Sequence, residues 1–160
     1  MANFHIRAAV PADVPAILTL VRELARYEHL EHEVVATPEL MHRALFKVPP
    51  RAFAYLSEID GAPVGLALCY YTFSTFLGRH GIYVEDVYVK PEHRKRGIGT
   101  AFFRHIAQQA VAEGCGRMEW AVLDWNEPAL RFYESLGAQA MTQWRLQRLT
   151  GNALGNLAAR

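Results

Sequence analysis

Glu85 and Asp86 interrupt an otherwise apolar stretch, residues 82–89, and a few residues later the chain reads Arg94-Lys95-Arg96-Gly97-Ile98-Gly99-Thr100. The first feature is a candidate proton acceptor. An ionised carboxylate in so apolar a strand is costly unless it is paired or employed, and desolvation would raise the affinity of Glu85 for a proton. The second is a candidate anion cradle, because glycines permit close backbone approach and the free N–H groups at a helix start attract phosphate. The spacing Gly97-x-Gly99 meets Phe102 where a third glycine would stand, and no GxxxxGK occurs, so dinucleotide and P-loop readings fail. Taken alone, a basic turn before a helix is more often a solvated surface than a ligand site, and Tyr133 is by spacing more often a core tyrosine.

These residues need a scaffold, and hydrophobic periodicity supplies one. Asp13 is placed to cap a first helix with Pro15 in its first turn, and Val14, Ile17, Leu18, Val21, Leu24 and Ala25 carry it to about Tyr27. A second helix follows Thr37 and Pro38 with Leu40, Met41, Ala44 and Leu45 inward, stopped by Pro49 and Pro50. Residues 52–59 and 63–73 flank Asp60-Gly61, a strong hairpin signal. After a loop near residues 74–81, strand 82–89 leads through the basic loop into a helix over about 98–113, with Ile98, Phe102, Ile106 and Ala110 on one stripe and Gly114 closing it. A strand over 118–123, a short helix capped by Asn126 and ended at Gly137, a last strand around 142–149 and a loose tail from Gly151 complete the prediction. The fold class is α/β (α+β), a mixed, mostly antiparallel sheet flanked by helices, in one domain over residues 1–160.

Composition narrows the partners. About half of the 160 residues are apolar, enough for one real core. Seventeen basic against 16 acidic residues leave a net charge of +1, so no global field draws the chain to nucleic acid or an anionic membrane. The first ten residues carry no signal-like pattern, no long apolar run occurs, and two cysteines form no disulfide framework or zinc spacing; a soluble, cytoplasmic protein with no metal site is expected. His29 and His32 have nothing else of ligand spacing nearby. Trp120 and Trp125 are expected to pack.

The segment R-x-x-G-x-G after a strand, followed by an amphipathic helix, a strand and WNEPALRFYESLGA, resembles the coenzyme A site of the GNAT superfamily of N-acetyltransferases. Within it the chain is similar to the spermidine/spermine (diamine) and thialysine acetyltransferases, from FHIRAAVPAD and ELARYE through YVEDVYV and HRKRGIG to AVLDWNEPALRFYESLGA. The resemblance implies a GNAT fold, acetyl-CoA as cosubstrate and a homodimer. Backbone groups of Val87, Tyr88 and Val89 would hold the pantetheine arm. Arg94, Lys95, Arg96, Gly97, Ile98, Gly99 and Thr100 would take the pyrophosphate, and Asn126, Glu127, Pro128 and Ala129 would complete the coenzyme site. Tyr133 matches the tyrosine that protonates the departing sulfur, and Glu85 the glutamate that helps remove the amine proton through water. Tyr27, Glu28, Asp86, Glu119, Trp120 and Ala121 match positions near the amine, where Glu28, Glu85 and Asp86 would also recognise a second positive charge.

That chemistry needs a base, since an alkyl ammonium with a pKa near ~10 is free amine in about one part in a thousand at neutral pH. A backbone N–H from a distorted strand at Val87 would donate to the thioester oxygen. Three departures bear on the acceptor. Ser74-Thr75-Phe76 replaces the acidic residue and tryptophan of the polyamine enzymes, Thr142-Gln143 runs into Trp144 without their Glu-Glu-Gly insertion, and Lys95 replaces a glycine after the motif arginine. The implied function is transfer of acetyl to a primary amine of a small cationic molecule, a diamine, polyamine or thialysine-like amino acid. The alternatives are acetylation of a protein lysine or N-terminus, and a non-catalytic coenzyme A binding module.

Overall fold

Asp60 and Gly61 both adopt left-handed backbone angles, φ 51° and 77°, as a two-residue hairpin turn requires. They join β2 (Phe53–Ile59) to β3 (Ala62–Ser74). With β1 (His5–Ala8), β4 (Arg79–Val89) and β5 (Met118–Trp120) these form a five-stranded sheet in the order β1-β2-β3-β4-β5, antiparallel except for the β4–β5 pair. The computed structural model describes residues 3–159, and contacts divide the chain into Met1–Ala121, which holds this sheet, and Val122–Arg160.

Both faces of the sheet are covered. The stripe Ile98, Phe102, Ile106 and Ala110 of α3 (Ile98–Ala112) packs on Val64, Ala67, Cys69, Ile82 and Val84. Burying Ile98, Phe102 and Ile106 contributes about 1.5–3 kcal/mol each. On the other face, Ile17 and Leu20 of α1 (Val14–Tyr27) and Leu45 of α2 (Pro38–Phe46) pack on Ala54, Leu56, Leu66, Leu68 and Tyr88. Gly65 leaves no room for a side chain between its neighbouring strands and α3: a Cβ there would stand 2.7 Å from Ser57 Oγ, 2.9 Å from the Tyr88 carbonyl and 3.1 Å from the Phe102 ring.

Four local expectations are corrected. Asp13 does not cap α1; its carboxylate accepts from Arg7 Nη1 at 2.6 Å and Nη2 at 2.8 Å and from the Val10 N–H, because the guanidinium on β1 offers a stronger, charged partner. Leu40 is exposed and Leu45 is the buried residue of α2, since Leu40 falls on the solvent side of the first turn, which Thr37 caps by accepting from the Leu40 N–H. Strand 118–123 stops at Trp120, where its pairing with β4 ends. Residues 142–149 form no strand, since a strand relies on a partner ladder and this segment makes none; Trp144 N–H bonds locally to Met141 C=O.

Val122–Arg160 contains α4 (Glu127–Ser135) and α5 (Gly151–Ala158). Asn126 caps α4 by accepting from the Ala129 N–H, Pro128 lies in its first turn, and Gly137 at φ 85° ends it with the Ala138 N–H on the Tyr133 carbonyl. The tail expected to be loose is helical over Gly151–Ala158, although half of that segment is glycine and asparagine. Among the described residues no helix is long and apolar enough to cross a membrane.

Candidate active site

The register of β3 against β4 shifts at the paired carboxylates. Val84 pairs with Cys69 and Asp86 with Leu68, so Glu85 is an extra residue, a β-bulge. The bulge changes which way each side chain faces. Val84 packs with the α3 core, and beyond the bulge Val87 and Val89 pack there too, while Tyr88 joins the α1 and α2 core. Were residues 82–89 a regular strand, with Glu85 paired like its neighbours, Asp86 would continue the Ile82, Val84 series into the α3 core, where an ionised carboxylate is prohibitive.

β5 pairs with β4 at Ile82, Tyr83 and Val84 and no further. Among the described residues, the β4 edge on that side, from Glu85 to Val89, therefore has no neighbouring strand, and backbone N–H and C=O groups there suit an extended, amide-bearing ligand. This is where the pantetheine arm was expected from Val87, Tyr88 and Val89.

Burial falls on the second carboxylate, contrary to expectation. Glu85 is exposed, whereas Asp86 is partly buried and its carboxyl is pushed up to about 6, first by burial, then by the charges of Glu85 and Glu28. Burial also pushes Glu28 up. Asp86 thus feels the negative charges of Glu85, beside it at the bulge, and of Glu28, at the end of α1, an arrangement that a cation stabilises and that costs free energy without one. Tyr70 and Tyr83 stack beside them with ring centroids 5.1 Å apart, both hydroxyls raised by burial and by Glu85.

Gly97 has φ 83° and an added Cβ would meet nothing within 4 Å, so open space lies before the loop. The first helical bond of α3 runs from Ala101 N–H to Gly97 C=O at 2.9 Å, and no side chain caps this end. The N–H groups of Ile98, Gly99 and Thr100 stand ahead of the ladder, and Arg94, Lys95 and Arg96 are exposed beside them. That donor set fits a diphosphate.

Arg94 has a further part that spacing did not show. Its guanidinium lies 4.9 Å from the Tyr27 ring centroid and 5.7 Å from that of Tyr88, and its Nε donates to the Val89 carbonyl at 2.9 Å. The anion loop is thereby tied to β4 and to the end of α1 that carries Tyr27 and Glu28. Glu119 is engaged by Arg117 at 2.7 Å, and Trp120 packs edge-on against Phe103, with Ala121 exposed next to it.

Met1–Ala121 thus brings together Glu85, Asp86, Glu28 and Tyr27 with the open β4 edge and the α3 loop. Glu127, Pro128, Ala129 and Tyr133 belong to α4 of Val122–Arg160, which Asn126 caps, and there Glu127 pairs with Arg131 and Tyr133 lies in ring contact with Phe132. Trp125, expected to pack, is half-exposed.

The family model for the acetyltransferase (GNAT) family matches residues 15–138. The chain belongs to the GNAT acetyltransferase family. GNAT enzymes use acetyl-CoA as cosubstrate, and this one is an acetyl-CoA-dependent N-acetyltransferase. Among GNAT relatives, the thialysine N-epsilon-acetyltransferase of Bos taurus is 40% identical with full coverage of both chains. An L-ornithine N5-acetyltransferase of Arabidopsis thaliana is 32% identical over 94% of this chain and 86% of its own. The GNAT fold is shared with an integron cassette protein from the mobile metagenome of V. cholerae, at a TM-score of 0.81 and 23% identity, covering 100% and 99% of the chains.

Proposed function

We propose that the enzyme acetylates the side-chain amine of a small cationic amino acid of the thialysine or ornithine type, with diamines as secondary acceptors. The observation that carries this reading is the cluster of Glu28, Glu85 and Asp86 around the bulge, which selects for an ammonium group. It is supported by full-length identity of 40% to a thialysine N-epsilon-acetyltransferase and 32% to an L-ornithine N5-acetyltransferase.

In this reading residues 1–160 act as one catalytic domain. Glu85 accepts the amine proton through water, helped by its exposure, and Asp86 and Glu28 hold the substrate's positive charge. The lone pair so freed forms the N–C bond to the acetyl carbon, a backbone N–H near Val87 takes the charge on the oxygen, and Tyr133 gives a proton to the sulfur as the C–S bond breaks. Asn126, Glu127, Pro128 and Ala129 complete the coenzyme site. The free thiols Cys69 and Cys115 suit a cytoplasmic enzyme, and the exposed Trp144, Leu146, Leu154 and Leu157 suit a homodimer.

The test is thiol release from acetyl-CoA with thialysine, ornithine, lysine, putrescine and spermidine. The amino acids should give kcat/KM values above those of the polyamines. A preference for spermidine would overturn the acceptor assignment, and no turnover with any amine would overturn the activity.

A further inference from the structure

At the end of α3 remote from the anion loop, about 22 Å away at 1.5 Å per residue, a second group of reactive side chains converges. Ligand atoms of His80, Glu113 and Cys115 all lie within 4.8 Å of one another. We propose that they form a binding site for a zinc-class divalent cation, with one coordination position open to solvent.

The chemistry of the set is selective. One imidazole, one carboxylate and one thiolate are the ligand types of zinc, and three protein ligands with an open fourth position are a common arrangement. Ligand atoms bound tetrahedrally at about 2.0–2.3 Å stand roughly 3.3–3.8 Å apart, so side-chain rotation closes the remaining gap.

The backbone under the site is fixed. Gly114, at φ 69°, ends α3 with the Cys115 N–H on the Ala110 carbonyl at 2.8 Å, which sets where the thiol emerges. Gly116 N–H then bonds to the His80 carbonyl at 2.9 Å, and Ile82 N–H to the Arg117 carbonyl at 3.1 Å, so the loop carrying Cys115 is sewn to the start of β4 beside His80.

The carboxylate is oriented by a surrounding network. Tyr71 Oη donates to Glu113 Oε2 at 2.7 Å and Gln109 Nε2 to Oε1 at 2.9 Å; Gln109 also donates to Tyr71 and accepts from Tyr55 Oη at 2.6 Å. A carboxylate offers about four acceptor sites, so both oxygens keep capacity for a cation. The Tyr71 ring also lies edge-on to His80 at 5.6 Å. Hydrogen bonds that hold a ligand from outside are the usual companions of a metal site. A bound cation would pin the end of α3 to β4.

Full-length protein stripped with chelator is titrated with zinc by calorimetry and with cobalt by absorbance. One zinc per chain is expected, with a sulfur-to-cobalt charge-transfer band and a higher unfolding temperature in zinc. Cys115→Ala and His80→Ala should each lower zinc affinity by more than about 100-fold, and Tyr71→Phe by about 10–100-fold. Cys69→Ser and His42→Gln should leave it unchanged. Absence of saturable zinc binding, absence of the sulfur band, or wild-type affinity in Cys115→Ala would overturn the assignment.

Discussion

Replacing Asp86 with Asn should make the protein more stable and less active at neutral pH. Its carboxyl rises from the usual 3.8 to about 6, first because it is buried and then because Glu85 and Glu28 repel its charge. At 1.36 kcal/mol per pH unit, the ionised form is disfavoured by ~3 kcal/mol in the folded state. For an acid whose folded pKa is raised, the folded chain binds the proton more tightly than the unfolded one. Relative stability is then highest below about pH 4 and is lost as pH climbs through about 6. Asn carries no charge to desolvate, so the variant escapes that loss. Urea unfolding of both proteins from pH 4 to 8 should show the variant gaining up to ~3 kcal/mol on the wild type between pH 4 and 6 and holding the gain above it. With the cationic acceptor, kcat/KM should fall about 10–100-fold, the worth of a hydrogen bond to a charged group. A stability difference that stays flat across pH would refute the claim that Asp86 is held ionised against its surroundings.

Tyr133→Phe should lower kcat by about 100-fold or more while leaving the KM for acetyl-CoA nearly unchanged, since only a proton is removed; steady-state kinetics in both substrates would check it, and an unchanged kcat would remove Tyr133 as donor. Glu85→Gln should move the pH–rate profile to the alkaline side, because more of the amine must arrive already deprotonated; an unmoved profile would argue against its role. Gly97→Ala forces a side chain to φ 83° in open space, so it should cost about 1–2 kcal/mol of stability and raise the KM for acetyl-CoA more than that for the amine. Equal changes in both KM values would point to general disruption.

Much of this was legible in residue types and spacing. Asp60-Gly61 announced its hairpin, the stripe from Ile98 to Ala110 its buried helix, and Asn126 and Gly137 the limits of α4, because each is decided by neighbours in sequence. A distorted strand near Val87 was expected, but the residue that bulges, Glu85, was not legible. The sequence shows two carboxylates in a strand, but which is buried depends on one unpaired residue against β3, and register is a property of two strands. For the same reason Asp13 left its capping role for Arg7, a choice set by β1 lying beside it, and residues 142–149 looked like a strand although strand pattern does not supply a partner. The cluster of His80, Glu113 and Cys115 joins residues from β4 and the end of α3, so no motif spacing announces it.

A crystal structure with coenzyme A bound would examine the reading at its root. The diphosphate is predicted on the N–H groups of Ile98, Gly99 and Thr100, with the pantetheine amides paired to β4 between Glu85 and Val89. A diphosphate bound away from Gly97, or an arm that leaves the β4 edge bare, would contradict it.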